Sequence, residues 1–186
     1  MSKILVDTID TRSGTTTLTL GSTNATTLDF DTGITSVTNI PAPLKNTPIF
    51  RARMSASQSV SNDTTTKLAF NQEEIDTDGA YDTSNYRFTV PTGKGGYYFV
   101  SFMARSSSIT DGKKLEVLLN VNGSFPAPEF FQTASSNSSE QYSGIISCVI
   151  ELSAGQYLEG HVLHQSGSAI NFGTSGCLFS GYKLIG

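Results

Sequence analysis

The stretch Tyr97-Tyr98-Phe99-Val100-Ser101-Phe102-Met103-Ala104 (YYFVSFMA) decides how the chain is read. Its aromatic and β-branched content is that of a β-strand. With a period of two, Tyr97, Phe99 and Met103 fall on one face and Tyr98, Val100 and Phe102 on the other. Both faces are apolar, whereas a strand in a two-sheet sandwich normally turns one face to water. The last strand repeats the pattern, with Cys177, Phe179 and Ile185 on one parity and Leu178, Tyr182 and Leu184 on the other. A second cover is implied. The simplest is a subunit interface; an overlying loop or an aromatic-rich surface is the alternative. Tyr97, Tyr98, Phe99, Phe102, Phe179 and Tyr182 thus mark the candidate interface strands.

Further strands lie to either side. Residues 48–54 open the series, followed by Lys67–Phe70, Tyr86–Val90, Lys114–Val121, Gly144–Leu152, Gln156–Gln165 and Cys177–Ile185. Asn122-Gly123 is a tight hairpin turn and Ala154-Gly155 another turn. No window of helical length sustains a 3.6-residue period. Eight to ten short strands in about 140 residues predict an all-β fold, an antiparallel sandwich or jelly roll.

The first forty residues differ. They hold twelve threonines and one aromatic, Phe30. Thr16-Thr17-Leu18-Thr19-Leu20 matches Thr26-Thr27-Leu28-Asp29-Phe30 at an offset of ten, with turn residues after each copy. So few apolar groups do not offset the entropy of ordering the segment. It is expected to borrow a core from partner copies or from a docking surface through Ile4, Val6, Ile9, Leu18, Leu20, Leu28 and Phe30. The predicted organisation is an attachment or stem segment at 1–40, a Pro-rich connector at 41–47 and a β knob at 48–186.

Formal net charge is −4 with 12 Lys plus Arg and no basic cluster, which leaves no footprint for nucleic acid. The longest apolar run, Tyr97–Val100, is far below the roughly 20 residues of a bilayer span. Asp7 and Asp10 interrupt any signal-like apolar stretch, so assembly in a cytoplasm is expected. Cys148 and Cys177 read as buried free thiols, with a cross-strand disulfide as the alternative.

Four passages in order resemble the C1q/TNF-like jelly-roll family. They are Phe88-Thr89-Val90-Pro91 leading to Gly96-Tyr97-Tyr98-Phe99, then Val121-Asn122-Gly123, Leu152 to Leu158, and Phe179-Ser180-Gly181-Tyr182-Lys183-Leu184. Gln156 stands where that family's passage has an acidic residue. The resemblance implies a C1q/TNF-like jelly roll that forms a homotrimer. Ser2 to Asp10 with the threonine repeats resembles the N-terminal stretches of tailed-phage fibre and appendage proteins. This implies attachment to other virion proteins through the N-terminus and a knob displayed to a host surface glycan or protein.

Catalytic chemistry is not signalled. His161 and His164, three apart on one strand, point to opposite faces and do not converge on a metal; Gly160-His161 facing a three-fold axis is a minor alternative. Asp76 and Asp78 are the pair a cation would use, but no completing Glu follows, and solvated turn acids are the expected role. Asp29 and Asp31, and Glu73-Glu74, are read in the same way. Lys94, within Gly93-Lys94-Gly95-Gly96, lacks the framing residues of a phosphate loop. No cofactor is expected. Ser106 to Gly112 and Thr133 to Gln141 are read as polar loops suited to contact with carbohydrate or protein.

The expected function is non-enzymatic: a homotrimeric virion fibre or spike acting by multivalent adhesion. A capsid-decorating or head-fibre protein is the alternative within that class, and a bacterial C1q-like binding module outside a virion is the alternative beyond it.

Overall fold

The computed structural model describes residues 46–125, 130–133 and 140–184. The N-terminal segment, with the predicted docking residues Ile4, Val6, Ile9, Leu18, Leu20, Leu28 and Phe30, lies outside the described residues, as do Asp29, Asp31 and Ile185.

The described chain is entirely β. In order the strands are β1 (Ile49–Arg53), β2 (Gln58–Val60), β3 (Thr66–Lys67), β4 (Gln72–Asp76), β5 (Tyr81–Asp82), β6 (Arg87–Thr89), β7 (Gly96–Ile109), β8 (Lys114–Val121), β9 (Phe130–Thr133), β10 (Glu140–Leu152), β11 (Tyr157–His164), β12 (Ile170–Phe172) and β13 (Leu178–Lys183). Every pairing is antiparallel. One sheet centres on β7, with β10 along one edge and β13 then β12 along the other; β1 and β4 follow β13, and β2 follows β12. The second sheet runs β5-β6-β11-β8-β9, with β3 also on β11. The two sheets form an antiparallel jelly-roll sandwich.

The core between them is aromatic. Phe50 stacks on Phe88 at 4.4 Å between ring centroids and meets Phe179 edge-on at 5.0 Å. Phe102 meets Phe70 and Phe179 edge-on. Two glycines make room for these rings. A Cβ on Gly160 of β11 would come within 2.7 Å of Phe102, and one on Gly181 of β13 within 2.8 Å of Phe50. Gly160 therefore faces the core, not a three-fold axis.

Asn122 and Gly123 both have positive φ, at 52° and 88°, and Val121 and Ser124 exchange two backbone hydrogen bonds around them. This is the predicted two-residue turn. The Phe88–Pro91 and Leu152–Leu158 passages meet where Gly155 N donates to Val90 O and Val90 N to Gln156 O, each at 2.9 Å. The Gln156 side chain accepts from Ser153 N at 2.8 Å, so its amide oxygen serves as acceptor in that turn.

Two expectations are corrected. Ser106, Ser107 and Ser108 are not a loop: β7 continues to Ile109, past an irregularity in its pairing with β10. Ser106 is buried, and its hydroxyl bonds the backbone of Tyr142. Within the second predicted polar loop, Glu140 and Gln141 already belong to β10, and 134–139 lie outside the described residues. Glu73-Glu74 sits on β4, an exposed strand that the sequence does not announce because its pattern is almost wholly polar.

Candidate functional site

Alternation along β7 separates the six candidate interface residues. Tyr98, Phe102 and Phe179 have no exposed surface and belong to the protomer's own core. They are unavailable to a partner, which corrects half of the prediction. Tyr97, Phe99 and Tyr182 point the other way, to the outer face of the β7 sheet.

Register shows how that face is built. Val149, Phe99, Tyr182 and Ile49 form one cross-strand row through β10, β7, β13 and β1. Ile145, Met103, Leu178 and Arg53 form a second. Between them runs a row of Ser147, Ser101, Ser180 and Arg51, in which the Ser101 and Ser147 hydroxyls lie 3.1 Å apart. Val149 is 59% exposed, Tyr97 56% and Ile145 48%. Phe99 and Tyr182 touch, with centroids 5.5 Å apart. Four strands across and about six residues along give on the order of 400 Å² of sheet. On this area two apolar rows flank a row of serines, and exposed apolar groups so clustered mark an interaction site. At one margin Glu74 pairs with both Arg51 (2.8 Å) and Arg53 (2.5 Å), so the two arginines are fixed beside the patch. Sequence periodicity located the doubly apolar strands, but not the contribution of Ile145 and Val149, whose own strand was read only as apolar.

The remaining candidates are local structure. Asp76 accepts from Asp78 N (3.2 Å) and Tyr81 N (2.8 Å), while Asp78 accepts from the Thr77 hydroxyl (2.7 Å) and lies 3.4 Å from Lys94 Nζ. Their carboxylates thus shape a turn and hold a lysine. Among the described residues no three His, Cys, Asp or Glu side chains gather as metal ligands. Tyr98 donates to Lys94 O at 2.6 Å, and burial pushes its phenol up to about 12.

His164 faces the core, fully buried, with Nε2 3.0 Å from Val60 O. His161 faces outward, with Nε2 3.1 Å from Glu159, and its ring packs edge-on to Phe125. Burial lowers its pKa below 6.5, and the bond to Glu159 opposes that shift without reversing it. The two histidines occupy opposite faces, as their spacing predicts. Both cysteines are free thiols; burial raises each, against a smaller opposing effect of Arg105 on Cys177.

The pattern for the C1q domain matches residues 49–184, nearly the whole described sandwich. The chain belongs to the C1q domain family. Solved structures agree on the fold of this C1q chain. The globular domain of the zebrafish complement 1qA protein is 16% identical, with a TM-score of 0.51 over 74% of this chain and 97% of that one. Murine APRIL at pH 5.0 is 14% identical, TM-score 0.54, over 73% and 98%. The Eiger TNF of S. frugiperda is 14% identical, TM-score 0.52, over 73% and 90%. No curated protein matches the C1q chain in sequence. At such identities the structural likeness concerns fold alone.

Proposed function

We propose that this C1q chain is a non-catalytic homotrimer that presents its knobs for recognition. The observation that carries the proposal is the outer face of the β7 sheet, where Val149, Phe99 and Tyr182 and, across a row of serines, Ile145, Met103 and Leu178 form two apolar rows. In a closed three-fold ring the contacts are head to tail, so different parts of this face meet the two neighbours. Burial of such apolar area contributes about 25 cal/mol per Å² before the losses of association. Three knobs on one body then gain avidity through high effective concentration.

The Thr-rich segment at residues 1–40 serves in this reading as stem or attachment point. Its resemblance to fibre proteins of tailed phages supports a place on a virion, as a fibre, spike or capsid decoration, assembled in the host cytoplasm. The same trimer working free of any particle is the bacterial-module reading, to which the sandwich itself is equally suited.

Two experiments test this. Light scattering or native mass measurement of the full chain is expected to give three times 19.9 kDa; a stable monomer overturns the trimer and the role of the apolar face together. Particle binding by the full chain against residues 46–186 is expected to be lost with the segment, and retention by the knob alone overturns the attachment role.

A further inference from the structure

Past the apolar rows, β7 turns polar at the register position of Ser143 and Arg105. Here a cleft of about 230 Å³ is lined by Arg105, Gln141, Ser57, Ser107, Thr174 and Ser175 among others, with no carboxylate in its wall among the described residues. Arg105 has no ion-pair partner among the described residues. Its guanidinium is nonetheless held in place. Nη2 donates to Gln141 Oε1, and the aliphatic stem lies on Gly176, where a Cβ would come within 2.6 Å of Cδ. Gly176 has φ +84°, so its backbone also favours glycine.

The free polar groups around this cation are mostly donors. Gln141 uses its oxygen on Arg105, which leaves its amide N–H groups available. Ser107 Oγ accepts from Asn171 N at 3.3 Å, leaving its own proton free. Thr174 and Ser175 present exposed hydroxyls beside them. A fixed guanidinium is suited to a planar or tetrahedral oxyanion, and a fringe of hydroxyls and an amide is suited to a polyol.

We propose that this cleft binds an acidic sugar, with the carboxylate or sulfate on Arg105 and the ring hydroxyls on Gln141, Ser107, Thr174 and Ser175. This inference rests on the recognition reading and names a ligand for it.

The test is calorimetric or NMR titration of the full chain with methyl glucuronide, galactose 6-sulfate, methyl glucoside and inorganic sulfate. At least one acidic sugar is expected to bind more tightly than inorganic sulfate, with no measurable binding of the neutral glucoside; the glucuronide and galactose 6-sulfate arms show which acid is taken. Arg105→Gln is expected to weaken that binding by about 10- to 100-fold. Arg105→Lys keeps the charge without the fork and is expected to fall between. Failure of both acidic sugars to bind, equal binding of the neutral sugar, equal binding of free sulfate, or full retention in Arg105→Gln each overturns the proposal. Mass measurement on the same samples separates the two readings. A trimer without sugar binding removes only the cleft, and a monomer that binds removes only the trimer.

Discussion

The two sheets of this sandwich treat their outer faces differently. Outside the β7 sheet, Tyr97, Val149 and Ile145 stand open, and the Phe99 and Tyr182 rings lie against each other across the strand pair. Outside the β11 sheet, several charged groups engage one another or a ring within the protomer. Lys67 Nζ lies 3.0 Å from Glu159 Oε1, His161 binds the other carboxylate oxygen, and the Arg87 guanidinium sits 4.8 Å from the centroid of the Tyr157 ring. The charges of one face are largely paired within the protomer, although Arg87 Nε and His161 Nδ1 are buried with no hydrogen-bond partner among the described residues; the other face exposes apolar groups. Apolar groups have no use for solvent, so the exposed apolar face points to assembly, whereas Lys67, Glu159 and His161 on the other face already pair with one another.

The sharpest break of this contrast is Val149→Asp. A carboxylate on the apolar face costs the single knob little, because the site is exposed, but it must lose its water in an interface. The expected outcome is a fall in mass to a folded monomer with an unchanged circular dichroism spectrum. The matching change on the other face, Lys67→Asp, is expected to leave the trimer mass intact.

Phe102→Ala comes next and separates the two faces of a single strand. Phe102 is fully buried against Phe70 and Phe179, so truncation is expected to lower unfolding stability by about 3–5 kcal/mol. Phe99→Ala, one face over, is expected to weaken assembly while shifting the monomer's denaturation midpoint far less.

Glu159→Gln removes the negative charge shared by Lys67 and His161 and leaves one acceptor oxygen where there were two. The site is mostly buried but reaches solvent at Lys67, so a loss of about 1–2 kcal/mol in urea unfolding is expected, with no change in mass. The smallest effect is a pH slope. His161 has a folded pKa below its unfolded value, so the unfolded chain takes up a proton first as pH falls. Stability is therefore expected to decline as pH drops below about 6.5, and His161→Gln is expected to flatten that decline. An unchanged slope in the variant would remove His161 from the account.

Much of the knob was legible beforehand because its signals are local. The Asn122-Gly123 turn needs only positive φ at two positions, and the sequence supplies residues that tolerate it. The parity of Cys177, Phe179 and Tyr182 places each on its face without knowledge of any neighbour. The short strands β2, β4, β5 and β12 were not legible. Two to five polar or mixed residues carry no periodic signal, and they are strands because a neighbour offers an edge. The run Ser106 to Ser108 misled for the same reason: serine marks a loop by composition, yet pairing with β10 holds it extended.

The candidate surfaces divide in the same manner. Alternation in residues 97–104 sufficed to announce a second apolar face, because a strand has only two sides. It did not say which side belonged to the core, so Tyr98, Phe102 and Phe179 were grouped with residues that face away from them. That choice falls to the opposing sheet, whose Gly160 and Phe88 receive the inward rings. The cleft at Arg105 was invisible for a stronger reason. Its residues come from positions 57, 105 to 107, 141 and 173 to 175, and only the crossing of β7 with β10 and β12 brings them together. What the sequence determined by itself was periodicity and turn chemistry, which act between near neighbours along the chain. What the tertiary structure decided was which face is inside and which distant polar groups meet, since both depend on partners separated by the whole length of the fold.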